Sequence, residues 1–195
     1  MSSKQEIRKQ IRQQRRCLSI AEQHVAGVSM LQNLRKFPSY RSAKRIAVYL
    51  ANDAELPLSA VVADVWQRKK RCYLPVLFGC GGLKMHFAPY HQNSVFVDNQ
   101  YNIPEPSVSI KRQIKATELD LVLMPLVGFD ADGNRLGMGG GYYDRSFEFL
   151  KRRKQWRKPC LLGVAYDFQE VESLQNDPWD IPLNGIVTPS RLITF

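Results

Sequence analysis

Apolar positions in the first 35 residues recur at helical spacing. Ile7, Ile11 and Leu18 mark one stripe and predict a helix over residues 4–17. Ser19-Ile20-Ala21-Glu22 has the form of a capping box, so a second helix should begin there and reach about Arg35. Beyond it the pattern changes to compact apolar runs of strand length: RIAVYLA (45–51), CYLPVL (72–77), LKMHFAP (83–89), LDLVLMP (119–125), CLLGVAY (160–166) and GIVT (185–188). Pro57 suits the first residue of a helix running to Lys70. A glycine-bearing loop at 79–82 should join the second and third runs, and an irregular stretch containing Pro104 and Pro106 precedes the fourth. A glycine loop then leads into a helix at roughly 141–153. Strands alternating with helices predict an α/β domain with a largely parallel sheet. No repeat, low-complexity tract or linker interrupts the pattern, so residues 1–195 read as one domain.

Composition narrows this picture. The chain is long enough to bury a full core, and its 44% apolar content excludes a disordered class. No apolar run reaches the roughly 18 residues that a membrane span needs, and MSSKQEIRKQ lacks the apolar segment of a secretory signal. Cys17, Cys72, Cys80 and Cys160 form no CxxC pair, which predicts four buried thiols in a reducing, cytoplasmic compartment. His24, His86 and His91 are too scattered for a zinc site. With 28 Lys and Arg against 18 Asp and Glu, the net charge is +10. That favours an anionic partner: nucleic acid, a membrane surface or a small polyanion. The basic residues concentrate at 4–16, 35–45 and 151–158, positions that equally suit solvated helix faces and ends.

The sharpest chemical signal is RLGMGGGYYDR, residues 135–145. Four glycines within five residues exceed what a simple turn needs, so something should lie against that backbone. Gly137, Gly139, Gly140 and Gly141 permit positive φ and remove the Cβ atoms that keep phosphate oxygens away. The loop follows a strand and precedes a helix, the place where α/β sheets receive anions. Arg135 and Arg145 could add charge-assisted hydrogen bonds. No Gly-Lys-Ser/Thr closes the loop as in a Walker A motif, and Tyr142 stands where a dinucleotide fingerprint has its third glycine. Asp130-Ala-Asp132-Gly-Asn134 imitates a calcium loop, but Arg135 and Gly141 occupy its invariant glycine and glutamate positions.

MPLVGFDADGNRLGMGGGYYDR resembles the signature of the 5-formyltetrahydrofolate cyclo-ligase family, also called 5,10-methenyltetrahydrofolate synthetases. KQEIRKQIRQQRRCLS, VYLANDAELPL, VAYDFQEVESL and WDIPLNGIVTPSR resemble further family stretches in the same order, so the likeness covers most of the chain. It implies a three-layer α/β/α sandwich, similar in architecture to sugar-phosphate isomerases and CoA transferases. The implied activity is ATP- and Mg²⁺-dependent closure of 5-formyltetrahydrofolate to 5,10-methenyltetrahydrofolate.

By the same resemblance, Arg135, Leu136, Gly137, Met138, Gly139, Gly140, Gly141, Tyr142 and Tyr143 form the ATP segment, joined by Lys4 and Arg8. Arg135 and Arg145 are implied as catalytic cations, Asp144 and Asp180 as Mg²⁺ ligands, and Leu50 and Glu55 as substrate contacts. Lys4 and Arg8 lie four apart and share a helix face, which Arg12 extends. A carboxylate such as Glu55 can accept paired hydrogen bonds from a pterin edge, though it also suits a helix start before Pro57. Asp144 equally suits a first helical turn, and Asp180 a turn before Pro182. Whether Tyr142 and Tyr143 stack on substrate or pack in the core stays open. Met138 stands where the family commonly has an aromatic, and Asn184 where it commonly has an aspartate. The expected partners are small molecules, 5-formyltetrahydrofolate and ATP, with no membrane, nucleic acid disfavoured and a monomer anticipated. A nucleic-acid-binding module and a sugar-phosphate or CoA-ester enzyme remain the alternatives.

Overall fold

The computed structural model describes residues 3–77, 84–99, 103–153 and 158–195. Helix α1 (Lys4–Arg16) starts from Ser3, whose Oγ accepts the Glu6 N–H at 3.2 Å while Glu6 Oε2 accepts the Ser3 N–H at 2.6 Å. Ser19 and Glu22 begin helix α2 (Ile20–Leu34) with the same reciprocal pair. Each box satisfies two backbone amides near the helix start. Helix α3 (Pro38–Ser42) and strand β1 (Arg45–Ala47) follow, then helix α4 (Ser59–Gln67) and strands β2 (Arg71–Leu77) and β3 (Met85–Pro89). Two short strands, β4 (Phe96–Asp98) and β5 (Pro104–Pro106), pair with each other ahead of β6 (Ile114–Lys115) and β7 (Leu121–Pro125). A small hairpin, β8 (Gly128–Phe129) and β9 (Arg135–Leu136), leads to helix α5 (Tyr142–Phe147). Strands β10 (Cys160–Val164), β11 (Gly185–Val187) and β12 (Leu192–Thr194) complete the chain.

Among the described residues, eight strands form one sheet in the order β12-β11-β10-β7-β1-β2-β3-β6. The five central strands, β11 to β2 in that order, run parallel, and the strands beyond them pair antiparallel. Strand residues alternate between two cores, as a period of two requires. Leu121 and Leu123 face the layer built by Met30, Leu34, Val61 and Val65, whereas Val122 and Met124 face Phe129 and Phe147. Burial on both faces explains why β7 reads as an unbroken apolar run.

Several boundaries differ from the sequence expectation. Strand β1 ends at Ala47; the Val48 N–H still donates to Tyr73 O of β2 at 2.9 Å, and the chain then leaves the sheet instead of extending it. Helix α4 begins at Ser59, two residues after Pro57. Leu56 and Leu58 are both buried, and Pro57 O lies where a Cβ on Gly27 would meet it at 2.8 Å, so packing on α2 holds this segment out of the helix. The helix after the glycine loop is short: α5 ends at Phe147 and passes into a 3₁₀ turn, Glu148–Arg152. Strand β3 pairs antiparallel with β2; the loop expected to join them at 79–82 lies outside the described residues. Cys72 is buried and Cys160 partly so, but Cys17 is exposed where α1 ends, which corrects the expectation of buried thiols throughout; Cys80 lies outside the described residues. Among the described residues no helix is long and apolar enough to cross a membrane.

Candidate active site

The strand order fixes where a site can form. From β1 the chain moves outward through β2, β3 and β6, then returns to β7 on the other side of β1. The parallel neighbours β1 and β7 therefore flank the point where strand order reverses, the place beyond strand carboxyl ends where such sheets bind ligands. Residues 48–58 leave β1 there, and the β8–β9 hairpin and glycine loop leave β7 there. Helix α1 touches both segments.

On the β7 side, Asp130 builds the hairpin turn. Its buried carboxylate accepts N–H groups from Asp132 at 3.1 Å, Asn134 at 2.9 Å and Leu174 at 2.8 Å, plus the Asn134 side-chain amide at 2.9 Å. The calcium-like DADGN stretch is thus a self-satisfied turn. Beyond it, Gly139 (φ 101°) and Gly141 (φ 65°) use the left-handed freedom of glycine, whereas Gly137 and Gly140 do not, which corrects the expectation for those two. Their contribution is space. A Cβ on Gly137 would find only the Arg135 guanidinium, at 3.6 Å, and the backbone from Met138 to Gly140 is exposed.

Charged groups gather around this backbone. Arg8 Nε donates to Gly137 O at 2.8 Å, and Lys4 Nζ to Asp177 Oδ2 at 2.5 Å. Asp177 N donates in turn to Asp180 Oδ2 at 2.9 Å, and Ile181 N to Asp144 Oδ1 at 3.1 Å. Arg135 pairs with that same Asp144 oxygen, so two residues expected to serve phosphate and metal separately are joined here. The Arg135 side chain is 6% exposed, and its buried Nε finds no acceptor among the described residues. Arg145 is exposed and donates to Gly140 O at 3.1 Å, bracing the loop from outside. The Leu136 side chain packs into a small core with Ile11, Val127 and Leu174, and its carbonyl accepts the Val127 N–H at 2.7 Å, so Leu136 anchors the hairpin. Tyr142 and Tyr143 both pack against the core behind the loop, and the Tyr143 ring stacks on Phe147 with centroids 6.3 Å apart.

On the β1 side, Leu50 packs against the other core, and residues 52–55 make a tight turn with Asp53 (φ 49°) and Ala54 (φ 55°) left-handed. Non-glycine residues adopt that conformation rarely, and a pair of them needs outside support. Three arginines of α1 supply it. Arg12 and Arg16 each donate to the Asp53 carboxylate at 2.6 Å, and Arg15 Nη2 donates at 3.3 Å. Burial works against the charged Asp53, but the hydrogen bonds from Arg12 and Arg16 outweigh it and hold its pKa below the usual carboxylate range. Glu55 behaves oppositely: burial pushes its pKa up, against the Asn52 N–H at 3.1 Å and the charge of Arg15. A largely covered carboxylate with a raised pKa beside the strand-order reversal is a candidate functional group.

Carboxylates beside a glycine loop are the donor type that Mg²⁺ takes. Such ions are held by one or two carboxylates completed by waters and substrate phosphates, not by full protein cages. Asp144 and Asp180, linked through Ile181 beside the glycine loop, fit that description. Among the described residues no three His, Cys, Asp or Glu side chains form a fuller cage. Sequence reading missed three members of the site: Arg15, Asp53 and Asp177. A signal for Arg15 existed, because position 15 falls on the inward stripe of Ile7, Ile11 and Leu18. Asp53 and Asp177 carried no comparable mark.

The fold is that of an α/β enzyme whose glycine loop and 52–55 turn leave neighbouring parallel strands and both meet helix α1. The model of the 5-formyltetrahydrofolate cyclo-ligase family matches residues 1–189, and the chain belongs to that family. The Escherichia coli (strain K12) protein named 5-formyltetrahydrofolate cyclo-ligase is 38% identical over 182 residues, covering 93% of this chain and 98% of that one. Its Haemophilus influenzae counterpart is 37% identical, covering 94% and 96%. The solved structure of 5,10-methenyltetrahydrofolate synthetase from Aquifex aeolicus superposes with a TM-score of 0.80 at 31% identity, over 98% of this chain and 92% of that one.

Proposed function

We propose that this protein converts 5-formyltetrahydrofolate to 5,10-methenyltetrahydrofolate with ATP as co-substrate, releasing ADP and phosphate. A formamide carbon is a weak electrophile and its oxygen a poor leaving group. Transfer of the γ-phosphoryl group to that oxygen makes it leave as phosphate when N10 of the folate attacks the formyl carbon and closes the ring. Phosphoryl transfer asks a protein chiefly for positioning and charge neutralisation. The glycine-loop backbone, Arg135, Lys4 and Arg8 would hold the nucleotide phosphates, with Arg145 steadying the loop. Asp144 and Asp180 would hold Mg²⁺, which when bound neutralises charge on the phosphoryl oxygens. Glu55 would accept two N–H groups from the amino-pyrimidinone edge of the pterin.

One observation carries this reading. Helix α1 lies across the crevice, with Arg8 bonded to the glycine loop and Arg15 beside Glu55. Buried guanidinium nitrogens on both sides, Arg135 Nε and Arg15 Nε and Nη1, find no acceptor among the described residues. Buried donors left unmade are costly, and they match a site that expects polar ligands. The test is the appearance of methenyl-folate absorbance when enzyme, 5-formyltetrahydrofolate, ATP and Mg²⁺ are mixed. We expect product only when all are present. Product without ATP, or none with the complete mixture, refutes the reading; the first result points to an ATP-independent relative.

A further inference from the structure

We propose that Arg15 is a positioning residue for the folate side of the site, its guanidinium spanning Asp53 and Glu55 so that the Glu55 carboxylate is held toward the pterin edge. The inference rests on the reading of Glu55 given above and adds a residue to which no role has been assigned.

Helix α1 presents an apolar stripe at Ile7, Ile11 and Leu18, yet its inward position 15 is an arginine only 1% exposed. Burying a guanidinium is unfavourable unless its donors find partners. Here they do so only in part. Nη2 reaches Asp53 Oδ2 at 3.3 Å, Nη1 lies 3.9 Å from Glu55 Oε1, and neither Nη1 nor Nε has a hydrogen bond. An arginine serving only to dock α1 on the 52–55 turn would duplicate Arg12 and Arg16, which already bind Asp53 from the solvent side. Arg15 alone of the three reaches Glu55.

The surroundings of Glu55 make that proximity matter. Its side chain is largely covered, 14% exposed, with the Asn52 N–H and Asp53 on its own turn and Arg15 on α1. Tyr49 just beyond β1, Tyr143 of α5 and Tyr166 beyond β10 all feel its charge. Tyr49 donates its hydroxyl to Leu56 O at 2.7 Å, while the buried Tyr166 hydroxyl finds no hydrogen-bond partner among the described residues. Arg15 is the cation acting on Glu55, set against burial and the Asp53 charge. Without it the carboxyl would bind a proton more readily and lose its lateral anchor, and a protonated carboxyl cannot accept both pterin N–H groups.

The experiment measures 5-formyltetrahydrofolate affinity from pH 5 to 9, in the absence of ATP, for the wild type, Arg15→Met and Arg15→Lys. Affinity should fall as pH drops through the Glu55 pKa. Arg15→Met should weaken folate binding about tenfold at neutral pH and move this acid limb upward by about one pH unit, the scale of removing a neighbouring opposite charge. Affinity for an ATP analogue should stay within about twofold, since a change confined to the folate side leaves an independent site nearly untouched. Arg15→Lys should hold the limb in place but bind folate several-fold more weakly, because an ammonium cannot span both carboxylates. If Arg15→Met does not fold, the lysine variant carries the test alone, and unchanged affinity in it overturns the proposal. An unmoved limb in a folded Arg15→Met, or equal loss of folate and nucleotide affinity, also overturns it. A wild type that fails to bind 5-formyltetrahydrofolate rejects the functional reading itself, and this proposal with it.

Discussion

Gly139→Ala probes the glycine loop most directly, because its two effects can be separated. Gly139 sits at φ 101°, where a side chain is strained by about 1–3 kcal/mol. Space is not the difficulty: the nearest atom to an added Cβ would be an Arg8 guanidinium nitrogen at 3.9 Å. The loop from Met138 to Gly140 is exposed, so the backbone can relax toward negative φ without disturbing either core. The melting temperature should therefore fall by no more than about 4 °C, the scale of one kcal/mol in a domain of this size. Relaxation does, however, rotate the peptide planes around residue 139. Losing one charge-assisted hydrogen bond to a phosphate costs about 1.5–3 kcal/mol, or roughly tenfold to a hundredfold in Kd. Calorimetric titration with a non-hydrolysable ATP analogue and Mg²⁺ reads that loss, and differential scanning calorimetry reads stability. Gly137→Ala is the companion variant, since it has no positive φ and its Cβ would lie 3.6 Å from its nearest neighbour. It should melt like the wild type, so any affinity it loses reports a ligand pressed against that Cβ. Unchanged nucleotide affinity in Gly139→Ala, despite a lowered melting temperature, would refute the phosphate-loop argument and leave a structural turn.

Glu55→Gln should reduce kcat/KM for the folate about tenfold to a hundredfold while the KM for ATP barely moves, because an amide NH₂ replaces an acceptor facing two donors; equal effects on both substrates would contradict the division of the crevice. Asp144→Asn keeps an oxygen for the Ile181 N–H but removes the charge opposite buried Arg135, so it should raise the Mg²⁺ needed for half-maximal rate and lower kcat. Normal metal dependence in that variant would return Asp144 to a helix-start role. Asp64→Ala, far from the crevice, should cost about 1–3 kcal/mol, because Tyr40 loses the acceptor of its buried hydroxyl at 2.6 Å. Burial opposes the Asp64 charge, but hydrogen bonds from Tyr40, Arg35 and Arg68 hold its pKa below the ordinary value of about 3.9. Its charge-linked contribution is therefore complete above that value and lost as pH falls through the depressed one, so the gap between urea melts of wild type and variant should narrow as pH falls below about 4, leaving the part due to the Tyr40 hydroxyl, which a protonated carboxyl still accepts. A constant gap down to pH 2 would disprove the linkage.

Much of this molecule was written locally. Helical spacing and the capping box at Ser19 and Glu22 mark α2, and the doubly buried β7 shows as a continuous apolar run, because these signals depend on neighbours within one or two turns. The glycine loop was legible for the same reason: its composition is unusual whatever surrounds it. Tertiary structure decided the rest. Helix α4 could not start at Pro57, since the buried Leu56 and Leu58 belong to a core whose other members lie far along the chain. The order of β7, β1 and β2 set the reversal point, and with it which two connections share a crevice. Arg8 meets Gly137 across 129 positions, and Arg15 meets Asp53 across 38. Such pairings have no signature in the local pattern, because they exist only once the sheet has brought remote segments together. The sequence by itself marked the first two helices, the main apolar strands, the glycine loop and the likeness to the family; the folded chain alone decided that α1 touches both the glycine loop and the 52–55 turn and that Arg15 lies buried beside Glu55.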